Sequence, residues 1–165
     1  MSIPAVFAAQ VARTPEAVAL TFEGRSLSYG ELDEAANRLA HALAARGAGS
    51  GEYVALLVAR SAEAIVAIMA VLKVGAAYLP IDPAHPDARI GFMIEDAAPV
   101  AVVTTADLRS RLEGSDTAVI VVDDRAVVAQ SSSALSAPPG RSPCATCTPI
   151  RRHARNKAPA PGTQA

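Results

Sequence analysis

The sequence predicts an α/β fold: a largely parallel sheet with helices packed on it. Three observations point there. Strand-length apolar runs alternate with segments of helical period, which is the order that builds parallel sheets. Those runs are Val-rich and show no polar alternation, as strands buried on both faces do. The helical segments open on serine and close on glycine, the residues that cap helix ends. At 165 residues, 51% of them hydrophobic, the chain is long enough for one domain with a real core. Aromatics are only 4% and tryptophan is absent, so Val, Ile, Leu and Ala must fill that core.

The elements follow in order. "IPAVFAAQVART" sets Pro4 in a first helical turn and places Phe7 and Val11 on one face. "AVALTFEGRSLSY" has apolar positions on either side of Glu23-Gly24 and predicts a hairpin. In "SYGELDEAANRLAHALAARG", Ser28 and Glu31 form a capping box, Leu32, Ala36, Leu39 and Leu43 form one apolar stripe, and Gly47 closes the helix. "EYVALLVAR" predicts a strand buried on both faces. "SAEAIVAIMAVLKVG" predicts a helix capped by Ser61, closed by Gly75 and buried nearly all round. The unit then repeats as strand "AAYLPI", helix "DARIGFMIEDA", strand "PVAVVTT", helix "ADLRSRL" and strand "TAVIVVDD".

A change of composition near Gln130 divides the chain into residues 1–130 and 131–165. All 16 acidic residues lie in the first part, against 10 basic ones, whereas the second holds five basic residues and no acid. Six of the 12 prolines and both cysteines also fall in the second part, a low-complexity Pro/Ala/Arg/Ser-rich tail expected to be disordered. The longest apolar run, Ala64 to Leu72, is too short to span a bilayer. The N-terminus has no positive charge ahead of its apolar residues, which argues against a secretory signal, and a cytoplasmic location is expected.

"LSYGELDEAANRLAHALAARGAGSGEYVALLVARSAEAIVAIMAVLKVGAAYLPIDPAHPDARIGFMIEDAAPVAVVT" closely resembles the opening of the adenylation domain of nonribosomal peptide synthetases, in the adenylate-forming superfamily. Two segments carry the likeness: the Tyr-x-Glu-Leu type helix start in "LSYGEL" and the signature "LKVGAAYLPID". The likeness runs from Phe7 to Asp124. It implies a partial N-terminal subdomain of the adenylate-forming fold. It also implies a parent reaction in which an amino acid carboxylate attacks the α-phosphate of Mg-ATP, after which the acyl group passes to a phosphopantetheinyl carrier-protein thiol. In the family the phosphate loop, the ribose-binding acid, the amino acid pocket and the catalytic lysine lie downstream of the matched region. No catalytic, cofactor-binding or metal-ligating residue is therefore assigned here, and the chain is expected to be inactive alone. ATP and Mg belong to the intact family.

Each residue of a chemistry-bearing type has a plainer reading. Gly75, Pro80, Pro83 and Asp82 stop a helix and shape a turn. Lys73 complements a helix dipole. His85 is a turn residue, and Asp123-Asp124 is a strand end entering a loop. Ser131 to Ser133 lack the glycine and lysine of a phosphate loop and read as linker. Cys144 and Cys147 form a single C-x-x-C with only His153 nearby, short of the three or four ligands a metal needs. "RRHARNK" lacks a platform and aromatics for nucleic acid, so neither nucleic acid nor membrane is an expected partner.

Two functional readings stand beside each other. The first is an adenylation-domain opening without its chemistry, with a tail that a reading-frame shift in GC-rich DNA would explain. Translating the coding DNA in all frames beyond "VIVVDD" checks this, because a Ser/Thr/Gly-rich loop followed by lysine would then appear. The second is a non-catalytic α/β interaction module, or a split half that pairs with a separate chain. Either way, open sheet edges and an exposed apolar face predict self-association. A third reading, an independent nucleotide-binding protein, lacks any G-x-G-x-x-G or G-x-x-x-x-G-K-[ST] after a strand.

Overall fold

A four-stranded parallel sheet in the order β4-β3-β5-β6 forms the centre of the molecule, built from β3 (Tyr53–Leu57), β4 (Ala77–Ile81), β5 (Ala101–Thr104) and β6 (Val119–Val121). The computed structural model describes residues 2–135; the disorder expected of the tail beyond them lies outside the described residues. Alternation across β3 explains why its sequence shows no polar period. Val54 and Leu56 point into one apolar cluster, Ala55 and Leu57 into another, and all four are buried.

Helices α2 (Tyr29–Ala44) and α3 (Ala62–Val74) cover the first face, and α4 (Asp87–Ala97) covers the second. The predicted stripe of α2, Leu32, Ala36, Leu39 and Leu43, is buried throughout. Ser28 caps α2: its Oγ accepts the Glu31 amide at 3.2 Å while Glu31 Oε2 accepts the Ser28 amide at 2.8 Å. Both α2 and α3 end on glycine. Gly47 and Gly75 adopt φ of 87° and 79°, and the Ala48 and Ala76 amides reach back to the Leu43 and Val71 carbonyls at 3.1 and 3.2 Å. That double closure satisfies carbonyls the helix would leave open, and it requires a left-handed residue.

Ahead of the sheet lie α1 (Ile3–Arg13) and a hairpin of β1 (Val18–Phe22) with β2 (Arg25–Ser28). Glu23 and Gly24 both have positive φ, 48° and 77°, as a tight two-residue hairpin turn demands.

Four expectations change. The "ADLRSRL" segment is not an α-helix: Thr105–Leu108 turns and only Arg109–Leu112 winds as a 3-10 helix. Two turns are too few to hold an α-helix by propensity, and only Leu112 of that short helix is anchored in the core. The last strand covers three residues rather than the whole of "TAVIVVDD": its ladder to β5 runs only over Val119–Val121. The Asp123-Asp124 loop instead starts a one-turn helix, α5 (Arg125–Val128), whose Ala126 amide donates to Asp124 Oδ1 at 3.0 Å. Helix α3 is not buried all round: Ile65 is exposed and Ile68 and Leu72 are half-buried along one flank. Among the described residues no helix is long and apolar enough to cross a membrane.

Candidate functional site

The signature "LKVGAAYLPID" and the turn after it are the chemistry-bearing residues that the sequence singles out, and the fold commits their polar groups to structure. Asp82 Oδ1 accepts the Ala84 amide at 2.9 Å, and the Asp82 carbonyl accepts the His85 amide at 3.1 Å. From the 3-10 helix, Arg111 reaches across and grips the same turn. Its Nε donates to Asp87 Oδ1 at 2.7 Å, its Nη2 to the His85 carbonyl at 2.6 Å, and its Nη1 to the Pro83 carbonyl. One planar guanidinium thus serves three acceptors in a fixed fork. Arg111 has no mark in the sequence beyond its charge; only the fold shows what it holds.

Lys73 sits in the last turn of α3, as a dipole cation would, and also makes an ion pair. Its Nζ lies 2.7 Å from Asp33 Oδ1 and 2.7 Å from Asn37 Oδ1, both on α2, and 5.8 Å from the centroid of the Phe7 ring. The Lys73 and Asp33 side chains are 12% and 21% exposed, so the pair is largely out of water. Asn37 is itself buried and donates to Asp33 Oδ2 at 3.0 Å. The lysine stem spans the α2–α3 contact and ties the two helices together.

The remaining candidates do not converge. His85 is exposed in its turn. Ser131 to Ser133 form more than a linker, since the Asn37 amide and the His41 ring bond the carbonyls of Ser132 and Ser133 at 2.8 and 2.9 Å. Cys144, Cys147 and His153 lie outside the described residues. A cleft of about 290 Å³ opens beside β6, lined by Arg46, Arg109, Asp124 and Gln130 among others, and a second holds Glu16, Glu31 and Glu34 near the start of α2. Neither includes a residue of the signature.

Comparison with known proteins decides what this arrangement belongs to. The profile of a family described as AMP-binding enzyme matches residues 7–161. The chain belongs to the AMP-binding enzyme family. Among its relatives, the isonitrile lipopeptide synthase of Mycobacterium tuberculosis is 59% identical over 143 residues, which is 87% of this chain and 5% of that protein. The dimodular nonribosomal peptide synthase of Bacillus subtilis is 43% identical over 123 residues, 74% of this chain and 5% of its own length. The chain therefore spans a small fraction of these AMP-binding relatives.

Solved structures agree. The nonribosomal peptide synthetase FmoA3, in its form bound to α-methyl-L-serine-AMP, superposes with a TM-score of 0.77 at 33% identity over 82% of this chain and 15% of its own. The artificially fused adenylation-PCP di-domain NpsA-ThdA from Klebsiella oxytoca gives 0.72 at 25% identity over 83% of this chain and 26% of its own. The fold is that of the N-terminal part of a nonribosomal peptide synthetase adenylation domain.

Proposed function

We propose that this chain supplies the opening α/β scaffold of an amino-acid-activating adenylation domain and carries none of the reacting groups itself. One observation carries the reading. Both charged side chains of the signature are engaged within the fold: Lys73 with Asp33 and Asn37, and Asp82 Oδ1 with the turn it starts. Three of the described cations that could meet the phosphates of a nucleoside triphosphate are engaged within the fold. Lys73 is held between α2 and α3, Arg111 by the turn at 83–87, and Arg38 by Glu34 at 3.0 Å. No step of the reaction is assigned to them.

In this reading the parent enzyme, in the cytoplasm, joins an amino acid carboxylate to the adenylyl group of ATP with release of pyrophosphate, and hands the acyl group to a carrier-domain thiol with release of AMP. The fused adenylation-PCP neighbour supports such a partner. The chain by itself offers two sheet edges, β4 and β6, and the open flank of α3 at Ile65, Ile68 and Leu72. Edges of that kind pair with other chains unless covered.

Amino-acid-dependent ATP–pyrophosphate exchange tests the proposal. The purified chain is expected to give background exchange with every proteinogenic amino acid and to sediment as species larger than the monomer. Exchange above background with any one of them would refute it.

A further inference from the structure

We infer that residues 131–135 are a latch held on helix α2, and that the Asn37 side chain, turned by Lys73, is its keeper. Asp33, Asn37 and His41 are spaced four apart on α2 and form a polar stripe beside the buried apolar one. Lysine only donates, so the Asn37 oxygen must face Lys73 Nζ, at 2.7 Å. The amide nitrogen is thereby turned to two groups that only accept, the Asp33 carboxylate at 3.0 Å and the Ser132 carbonyl at 2.8 Å. All the hydrogen-bonding capacity of this buried side chain is directed, and its orientation follows from the charge on Lys73.

His41 makes the second hold. Its Nε2 lies 2.9 Å from the Ser133 carbonyl, an acceptor, so that nitrogen carries the proton. The Ser133 amide in turn donates to Ser131 Oγ at 3.2 Å, which bends the segment so that consecutive carbonyls face α2. Leu135 packs against the apolar cluster beneath α2 and α3, in which Val127 of α5 is also buried. The described residues that follow β6 thus run over α2 and not along the sheet edge. Their path is set by a side chain of the "LKVGAAYLPID" signature acting through Asn37. The inference concerns the described fold alone and does not depend on the functional reading above.

Thermolysin, which cuts on the amino side of large apolar residues, reads the latch at the Ala134–Leu135 bond of the full chain. Cleavage within α3 ahead of Ile68 reports unfolding of the core in the same digest. In Asn37→Asp the new carboxylate still accepts from Lys73 but has no proton for Ser132 or for Asp33 Oδ2, 3.0 Å away, so the core loses stability as well. Cleavage at Ala134–Leu135 is expected to rise about tenfold beyond any rise in α3 cleavage, one charge-neighboured hydrogen bond's worth. His41→Ala, at a half-buried position, is expected to give a rise of a few-fold. Cleavage at Ala134–Leu135 that rises no more than α3 cleavage in a folded Asn37→Asp chain would overturn the inference. If Asn37→Asp does not fold, His41→Ala decides alone, and the parental rate there would overturn it equally.

Discussion

Lys73→Met lowers the stability of the folded chain by about 2–3 kcal/mol, a large share of the roughly 5–15 kcal/mol that holds a domain together. The cost lies in what is left behind. Methionine keeps most of the aliphatic stem, so packing between α2 and α3 survives, but the Asp33 carboxylate and the Asn37 oxygen lose their donor in a largely dry place. Removing one partner of a fully buried pair costs about 3–5 kcal/mol; the residual exposure of Asp33, 21%, brings the expectation to the bottom of that range or just below it. Urea unfolding followed by circular dichroism at low protein concentration should show the midpoint fall by about 1–2 M. Adding Asp33→Leu should recover much of the loss, since an apolar pair in place of a buried ion pair is often neutral. A Lys73→Met midpoint within about 0.3 M of the parent would show that the pair contributes no more than a surface salt bridge.

The fold was largely legible in the sequence wherever burial is two-sided. Strand β3 could be read from "YVALL" because both of its faces are buried, and α2 from its stripe and capping box, because one face is buried and the other wet. Legibility fell at the β6 end of the sheet. Strand β6 shortened to three residues, and "ADLRSRL" wound only in its second half. Helix α5 carried a readable signal, Asp124 ahead of "RAVV", that the pairing of two adjacent aspartates hid. The polar contacts were harder. That Lys73 meets Asp33 and Asn37 joins residues about 40 positions apart, and Arg111 grips a turn some 25 residues earlier. Local periodicity cannot report such pairs, because they depend on which helix faces of the finished fold meet. The stripe at Asp33, Asn37 and His41 was visible as a spacing, but its meaning needed the return of residues 131–135.

A signature whose side chains maintain the scaffold should be exchangeable between relatives without changing what they activate. Substrate choice is a difference in transition-state contacts, and the charged groups of this signature are engaged within the fold. In the proposed reading the scaffold holds later segments of the parent enzyme in position, where a displacement of about 1 Å can cost a hundredfold in rate. The direct test is to graft residues 7–130 of this chain into the matching stretch of the isonitrile lipopeptide synthase, its 59%-identical relative, and measure substrate-dependent ATP–pyrophosphate exchange. The account predicts exchange with the parent's own substrate preference and a kcat/KM within about tenfold of it, a loss of at most about 1.4 kcal/mol in transition-state stabilisation. A folded, soluble chimaera that has lost exchange, or that prefers a different substrate, would contradict it.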